Sequence, residues 1–278
     1  MTYILYNPLA NAGHGEEGLD GVQAAFPEAE LRNVLQLSVP DFFSGLTGED
    51  RVILCGGDGT IHQLINRLPE PAALEVPIYI WKFGTGNDFW RDVPEKGAME
   101  MVLLNDHLHN LPRAEINGKH LWFLNDCGLG VDSRVCEMGE EYKQKTGKRM
   151  NYILLALKAI LFDYQRTTAR VTVDGVTREY KNVWLATAMN GRYIGGGMKM
   201  APDQNRRSDE LCCIVWHKTS RLMTIPLFIT VFSGAHVKLT RMFDIHFGKD
   251  IYVEFDRPCA LNLDGEVYSG IFSYSARK

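Results

Sequence analysis

The sequence contains no two cysteines in the spacing Cys-x-x-Cys, and its six cysteines are scattered along the chain. Pairs at that spacing are typical of zinc sites, and dense cysteine frameworks are typical of small secreted domains. The cysteine pattern therefore argues against both classes. It predicts reduced thiols in a cytoplasmic protein.

A secretory leader and a membrane-spanning run are also missing. Residues 1–6 lack the basic flank of a signal peptide and predict a first strand instead. No apolar run reaches the length that spans a bilayer. The nearest candidate, Leu222–Val237, is interrupted by proline, glycine and histidine, and it predicts a buried helix. We therefore expect any membrane contact to be peripheral and confined to turnover.

The chain has no excess of positive charge, since its formal net charge is -4 at pH 7. This balance offers no case for a nucleic acid partner. With 278 residues, 45% hydrophobic residues and 26 glycines, the composition is that of a globular protein. The length is sufficient for two domains, each with its own core.

The first part of the chain, residues 1–117, alternates predicted strands with predicted helices. The strands are Tyr3–Tyr6, Leu31–Leu37, Val52–Cys55 and Val76–Trp81, and the helices lie near Glu16–Phe26, near Pro40–Leu46 and from Ile61 onward. Such alternation is typical of an α/β domain with a parallel sheet. Ligands of such domains bind at the carboxyl ends of the strands.

Three of these strands run into loops with the chemistry of a phosphate site, namely Asn7–Gly15, Gly56–Thr60 and Lys82–Asp88. Glycines in the middle loop let backbone N–H groups approach an anion, and Asp58 beside a phosphate makes sense if it holds Mg²⁺ or steers a proton. The three loops should share one edge of the sheet and converge on one ligand. Taken alone, the middle loop fits a plain strand-to-helix turn equally well.

The second part of the chain, residues 118–278, is predicted to be mostly antiparallel β-structure in a sandwich or flattened barrel. Asn-Gly at 117–118 and Asp-Gly at 174–175 predict hairpins with primed turns. Later strands are predicted at Asn182–Ala188, Leu211–Trp216, Met242–Phe247, Ile251–Phe255, Ala260–Leu263 and Val267–Tyr274, and one long helix at about Asn151–Tyr164. The basic cluster of Lys143, Lys145, Lys148 and Arg149 is either a solvated loop or a contact for anionic lipid headgroups.

Taken together, the motifs resemble the catalytic domain shared by bacterial soluble diacylglycerol kinases and eukaryotic diacylglycerol, sphingosine and ceramide kinases. The matching pieces, in chain order, are Asn7-Pro8, Gly56 to Thr60 with Asn66, Gly84-Thr85-Gly86-Asn87-Asp88-Phe89, Asn125 to Gly128 with Gly130 and Asp132, Asn190 to Tyr193, Gly195 to Gly197, Pro202 and Asp264-Gly265-Glu266. Gly-Asp-Gly alone also occurs in NAD kinases. Gly-Thr-Gly-Asn-Asp-Phe is far more specific.

The resemblance implies a nucleotide-binding α/β domain, similar to those of NAD kinases and phosphofructokinases, followed by a β-sandwich domain for a lipid substrate. It implies transfer of the γ-phosphoryl group of ATP, with Mg²⁺, to the hydroxyl of a diacylglycerol-like lipid. The implied nucleotide-binding residues are Asn7, Pro8, Gly13, Gly57, Asp58, Gly59, Thr60, Gly84, Thr85, Gly86 and Asn87. Asp58 and Asp88 would organise Mg²⁺, Asp264 would act as the general base, and Glu266 would assist it.

The role of Asp264 rests on the resemblance alone. By its local sequence, Asp264-Gly265 is a hairpin turn of the same kind as Asp174-Gly175, and the residues themselves favour a turn at both places. Asn87 has the alternative role of a helix cap. Asn125 and Asn190 each end a strand, and their residue type favours stabilisation of a turn.

Several positions depart from the family pattern. His14 stands where many members have a basic residue, which weakens phosphate neutralisation at neutral pH. Lys82 replaces a usual proline and could supply that charge or be solvated. Ser208 stands where some bacterial members have an aspartate for a structural Mg²⁺, which leaves Asp209, one position on, as the candidate metal ligand.

Two rival functions stay open at this point. An enzyme similar to NAD kinase would share the middle loop but would not need an apolar acceptor site. A regulatory protein that binds a nucleotide without transferring its phosphate is suggested by His14 and Ser208. Edge strands of the β-rich domain could also pair between subunits in a homodimer.

Overall fold

The computed structural model describes residues 1–10, 15–16, 18–83, 86–94, 96–97, 99, 101–147 and 151–278. The chain folds into two compact units, residues 1–111 and residues 112–278. The sequence predicts a domain boundary between residues 117 and 118. In the structure this position is the turn of a hairpin in the second unit, because residues 113–116 pair with residues 119–122, and residues 113–115 also pair with the last strand of that unit. Within the described ranges, none of the helices combines the length and apolarity that crossing a membrane requires.

Unit 1 contains a five-stranded sheet in the order β2-β1-β3-β4-β5. The strands are β1 Thr2–Tyr6, β2 Glu30–Asn33, β3 Arg51–Gly56, β4 Ile78–Lys82 and β5 Val102–Leu103, and the helices are α1 Leu19–Ala25, α2 Val39–Ser44, α3 Asp58–Arg67 and α4 Asp88–Asp92. The pairs among β1 to β4 are parallel, whereas β5 runs antiparallel to β4. The predicted parallel α/β domain is confirmed, although β2 ends earlier than its apolar pattern predicts.

Burial explains why β3 lies at the centre of this sheet. Val52, Ile53 and Leu54 are fully buried, since β1 and β4 flank the strand and helices cover the sheet. A strand covered on both faces has a continuous apolar sequence rather than an alternating one. Helix α3 follows β3 directly and buries Ile61, Leu64 and Ile65 on one side.

Unit 2 is built on a ten-stranded sheet. Its strands are β6 Arg113–Ile116, β7 Lys119–Trp122, β8 Asp126–Gly130, β9 Thr167–Val173, β10 Val176–Val183, β11 Leu185–Met189, β12 Leu211–Trp216, β13 Phe243–Gly248, β14 Asp250–Leu263 and β15 Glu266–Arg277. Every ladder between them is antiparallel, and their inward residues enclose one apolar core. The predicted β-sandwich is confirmed. The two strands predicted at 251–255 and 260–263 form a single strand, β14, which bends at irregular pairings with β15.

Three dipeptides in unit 2 adopt the predicted primed turns. Asn117-Gly118, Asp174-Gly175 and Asp264-Gly265 all have positive φ at both residues, from 46° to 94°. Asparagine and aspartate tolerate this left-handed conformation better than other residues with a side chain, and glycine adopts it without strain. Local sequence therefore fixes the form of these turns but not what surrounds them.

Helices cover one side of the unit 2 sheet and form a second core with it. They are α5 Val131–Thr146, α6 Tyr152–Lys158, which continues as a π-helical segment Ala159–Asp163, and α7 Arg221–Ser233. The helix predicted at Asn151–Tyr164 is thus present, whereas the sequence pattern does not single out α5, whose apolar side is narrow. Helix α7 is not the buried helix that its sequence predicts, because its outer side faces solvent.

Candidate active site

In unit 1, the three predicted loops follow neighbouring parallel strands. Tyr6 at the end of β1 pairs with Cys55 of β3, and Gly56 at the end of β3 pairs with Lys82 of β4. The middle and third loops also touch each other, since a Cβ added at Gly57 would lie 3.3 Å from the Phe83 carbonyl oxygen. Gly18, which follows the first loop, packs against the Phe83 ring so closely that an added Cβ would overlap it. The described parts of the loops therefore lie at one edge of the sheet, as predicted.

Asp58 joins the middle loop to the third. One of its carboxylate oxygens accepts the N–H of Asp88 at 2.8 Å, and the other accepts the N–H of Phe89 at 3.0 Å. These are the first two residues of α4, so Asp58 caps that helix from another part of the chain. Asn87, the position where a cap is expected, adopts a left-handed conformation instead, with φ of 51°.

Helix α3 begins at this same place, with Gly57 as the residue before it. The first N–H groups of an α-helix have no acceptor within the helix, and together with the helix dipole they attract anions. Gly56 is required because an added Cβ would lie 2.4 Å from the Cβ of Thr60, whose side chain packs over it. Gly59, in contrast, has open space around it.

The other predicted nucleotide residues divide into described and undescribed positions. Asn7 is buried, and its side-chain oxygen accepts the N–H of Leu9 at 2.9 Å, so it shapes the first loop next to Pro8. A Cβ at Gly86 would lie 3.3 Å from a carboxylate oxygen of Asp58, which places that glycine directly beside the aspartate. Gly13, His14, Gly84 and Thr85 lie outside the described residues.

Lys82 has a definite partner in the structure. Its Nζ lies 4.0 Å from the centre of the Trp90 ring, and Nζ of Lys96 lies 4.2 Å from the same ring. An indole face attracts cations electrostatically. Two positive charges are therefore held beside α4, at the end of β4.

Carboxylates suited to Mg²⁺ are present at this edge of the sheet. Mg²⁺ takes oxygen ligands, and a carboxylate has about four lone-pair positions, so the two N–H bonds to Asp58 do not exclude a metal. Asp88 also forms an ion pair with Arg91 at 2.9 Å. Among the described residues, no three His, Cys, Asp or Glu side chains are grouped as in a protein-only metal site. The donor chemistry fits an ion that shares its ligands with a nucleotide.

In unit 2, Asp264 is only 7% exposed, and its carboxylate accepts three backbone N–H groups. One oxygen accepts the N–H of Leu124 at 2.6 Å, and the other accepts those of Asn125 at 2.6 Å and Asp126 at 3.2 Å. Asp174, the matching turn residue, is exposed, and one of its oxygens accepts the N–H groups of Lys249 and Asp250, both at 2.9 Å. Both aspartates thus accept hydrogen bonds from backbone N–H groups of distant segments, but only Asp264 is buried.

A buried polar network holds the segment that Asp264 binds. Arg206 donates to the carbonyl oxygen of Leu124 and, at 2.8 Å, to the side-chain oxygen of Asn125. Asn190 donates to the same Leu124 oxygen at 2.9 Å. Nζ of Lys278 donates at 2.7 Å to Asn190 and to the carbonyl of Arg206, and burial together with Arg206 lowers the pKa of Lys278 to about 8. Asn125 and Asn190 therefore brace the site, and sequence reasoning missed both Arg206 and Lys278.

Asn262 connects Asp264 to a second buried carboxylate. Its amide nitrogen donates to Asp126 at 2.9 Å, and its oxygen accepts the N–H of Gly265 at 2.8 Å. Glu266 follows this turn and is half-buried. Asp209, the candidate ligand for a structural metal, is exposed and lies 3.5 Å from Nζ of Lys249.

A narrow cavity of about 20 Å³ lies between the helices of unit 2 and the sheet. Most of its lining is apolar, including Ala156 and Ile160 of the α6 segment and Phe228 and Val231 of α7. Asp132 and Trp216 also line it, both are buried, and neither the Asp132 Oδ2 nor the Trp216 Nε1 has a hydrogen-bond partner among the described residues.

The two polar atoms without partners in the described ranges reduce the stability of the folded protein. A buried polar atom without a partner is unfavourable, and burial raises the pKa of Asp132 to about 6. An acceptor and a donor of hydrogen bonds therefore line an apolar cavity whose volume of about 20 Å³ is sufficient for about one water molecule.

We predict that Asp264→Asn destabilises unit 2 by about 1–3 kcal/mol, because the amide leaves at least one of the three N–H groups facing an NH₂ group. Asp174→Asn is the matched control. A single oxygen of Asp174 accepts both N–H groups, so the amide oxygen can keep them, and we expect a change within about 0.5 kcal/mol. Urea unfolding followed by the fluorescence of the buried Trp184 and Trp216 measures both. Equal losses would contradict the assigned role of Asp264.

We predict that Asp132→Asn stabilises the protein above pH 6. Because the folded-state pKa is raised from 3.8 to about 6, the folded state holds its proton more tightly, so stability is lost as pH rises from about 4 through about 6. The neutral amide removes this loss. The gain at pH 7.5 should approach about 3 kcal/mol and should vanish near pH 4. Urea unfolding at the two pH values measures the difference, and a gain that does not change with pH would contradict the explanation.

Comparison with known proteins places both units in described families. Residues 1–111 match the diacylglycerol kinase catalytic domain, and residues 126–273 match the YegS C-terminal NAD kinase beta sandwich-like domain. A diacylglycerol kinase of Mycobacterium tuberculosis (strain ATCC 25618 / H37Rv) is 28% identical over 285 residues, which cover 92% of this chain and 89% of that protein.

Solved structures share the fold over the whole chain. A diacylglycerol kinase from Bacillus anthracis str. Sterne superposes with a TM-score of 0.63 at 19% identity, covering 100% of this chain and 93% of its own. Another structure from that organism reaches a TM-score of 0.69 at 22% identity, covering 99% of this chain and 91% of its own. Because the two family matches cover nearly all of both units, this chain belongs to the diacylglycerol kinase catalytic-domain family, with a C-terminal domain of the YegS type.

Proposed function

We propose that this lipid kinase family member transfers the γ-phosphoryl group of ATP to the hydroxyl of a diacylglycerol-like lipid, with Mg²⁺. Phosphoryl transfer passes through a loose transition state, so the protein needs chiefly to position two substrates and to stabilise spreading charge. Unit 1 supplies the groups for the nucleotide, and unit 2 supplies those for the lipid.

The nucleotide phosphates would lie against the N-terminus of α3. Backbone N–H groups of Gly57 and Gly59 are suited to them, since the end of a helix favours anions, whereas the N–H of Thr60 already donates to the Gly57 carbonyl oxygen at 3.0 Å. Asp58 and Asp88 would hold Mg²⁺ directly or through water, and the ion would neutralise phosphate charge. Asp58 also caps α4, and this double use fixes the middle and third loops relative to each other.

The family match carries the lipid part of the proposal, since similar proteins are named diacylglycerol kinase and putative lipid kinase. The cavity beside Asp132 is too small for a lipid, because about 20 Å³ holds about one water molecule. Such a water would satisfy polar atoms of Asp132 or Trp216 that have no partner among the described residues.

Asp264 would receive the proton of the lipid hydroxyl. The three N–H groups that it accepts fix the orientation of its carboxylate. A loose transition state asks little of the base, so an oriented carboxylate is sufficient to receive the proton.

We predict that the purified chain, incubated with labelled Mg²⁺-ATP and a mixture of diacylglycerol, other lipid alcohols and NAD, labels diacylglycerol. Asp58→Asn should lower the rate about 100-fold or more, since it weakens the binding of Mg²⁺, whose charge would neutralise the phosphates. Asp50→Asn is the matched control. Asp50 also accepts a backbone N–H, that of Thr47 at 2.9 Å, but it precedes β3 and so lies at the other edge of the sheet.

Four outcomes would overturn the proposal or one of its parts. Labelling of NAD alone would favour the first rival, and nucleotide binding without any product would favour a regulatory protein. Equal activity of the Asp58 and Asp50 variants would remove Asp58 from the site. Removal of Mg²⁺ with a chelator should abolish turnover, and unchanged turnover would exclude a role for the metal.

A further inference from the structure

Helix α7 carries apolar residues on both its inner and its outer side. Leu227, Phe228 and Val231 are buried against the core, while Leu222, which is 77% exposed, and Ile229 face solvent. No charged residue occurs from Leu222 to Ala235. A helix at the surface of a globular protein normally has a polar outer side. The outer side of α7 is therefore an unexplained apolar surface.

The neighbouring α6 segment adds a second apolar line to this surface. Leu154 and Phe162, which is 80% exposed, face outward with Lys158 between them. The guanidinium of Arg221, at the start of α7, donates to the carbonyls of Ile160 at 2.6 Å and Tyr164 at 2.8 Å. Phe162 and Leu222 therefore flank one hydrogen-bonded junction. We call the four most exposed apolar residues of both segments, Leu154, Phe162, Leu222 and Ile229, the α6/α7 surface.

The two segments that form this surface carry only positive charges. Residues 151–162 and 218–242 contain no aspartate or glutamate, while they contain Lys158, Lys218, Arg221, Lys238 and Arg241. The next acidic residue, Asp163, is paired at 2.6 Å with Arg134, which also pairs with Glu137 and Glu141, both at 2.7 Å. The whole chain has a net charge of -4, so this segment has the opposite sign to the protein.

We propose that the α6/α7 surface docks on the surface of a lipid bilayer. The headgroup region of a bilayer offers an apolar boundary for leucine, isoleucine and phenylalanine and phosphate groups for the basic residues around them. Lys158 can extend its charged end to the headgroups while its stem lies among apolar neighbours. A second copy of this chain, docked symmetrically through the same surface, would place the cations opposite one another.

The proposed function favours a lipid bilayer over other partners, because docking would bring unit 2 to the membrane that contains the acceptor lipid. This step rests on the proposed function, whereas the docking surface itself rests on exposure and charge.

The test is sedimentation of the full chain with vesicles of phosphatidylcholine, with and without phosphatidylglycerol. The wild type should bind, and more strongly when phosphatidylglycerol is present. The vesicle affinity of the triple variant Phe162→Gln, Leu222→Gln, Ile229→Gln should be at least about 10-fold lower, since binding scales with the apolar area inserted. Val176→Gln and Phe272→Gln are matched controls, because each residue is 53% exposed in unit 2 but outside both helices, and they should bind as the wild type does.

Failure of the wild type to bind either vesicle would overturn the proposal, as would unchanged binding of the triple variant or an equal loss in the controls. A dimer that the triple variant converts to a monomer would assign the surface to a second copy instead. If the triple variant does not fold, as judged by its thermal unfolding, Lys158→Gln provides a second test. It should remove part of the preference for phosphatidylglycerol, and an unchanged preference would count against docking.

Activity separates this proposal from the proposed function. The triple variant should phosphorylate a dispersed short-chain diacylglycerol as the wild type does, but should lose activity on diacylglycerol in vesicles. If the wild type binds vesicles but phosphorylates neither substrate, the proposed function is contradicted and the docking proposal is not. Phosphorylation of both substrates by the triple variant at wild-type rates would sink docking and leave the kinase.

Discussion

Acceptance of backbone N–H groups by aspartate carboxylates is the interaction on which both candidate sites depend. Loops that carry functional residues lack the ladder hydrogen bonds of strands and helices, so their N–H groups need other acceptors. Asp264 supplies one for three consecutive residues, 124–126, and Asp58 supplies one for the first turn of α4. In each unit, one acidic side chain therefore holds two distant segments together at the place where chemistry is expected.

The same interaction reconciles stability with function. An aspartate that accepts several N–H groups is held in one orientation, which is what a metal ligand or a proton acceptor requires. Arg206, Asn190 and Lys278 extend this support from the other side of the 124–126 segment. Asp132 and Trp216 differ, because their polar atoms lack partners within the described structure and reduce stability unless a ligand or water meets them.

The two helical segments of unit 2 that carry the α6/α7 surface also combine a structural side with a side suited to binding. The inner sides of the two helices pack against the sheet as an ordinary core, while their outer sides keep leucine, isoleucine and phenylalanine in solvent. A protein that takes its substrate from a membrane can use such a surface without any spanning segment. The positive character of these segments, in a chain that is negative overall, fits the same use.

The sequence by itself determined what depends on neighbours in the chain. Apolar periodicity predicted the parallel α/β unit and the β-rich unit, and Asn-Gly and Asp-Gly predicted the primed turns, because these preferences act within a few residues. Tertiary structure alone decided that Asp264, and not Asp174, is buried, since its N–H partners lie up to 140 residues away. It also revealed the hydrogen bonds of Arg206 and Lys278 and the exposed side of α7. The hydrogen bond from Asp88 to Asp58, two residues that lie 30 positions apart in the chain, is likewise visible only in the structure. No local pattern encodes these features, because each one depends on which distant segments the fold brings into contact.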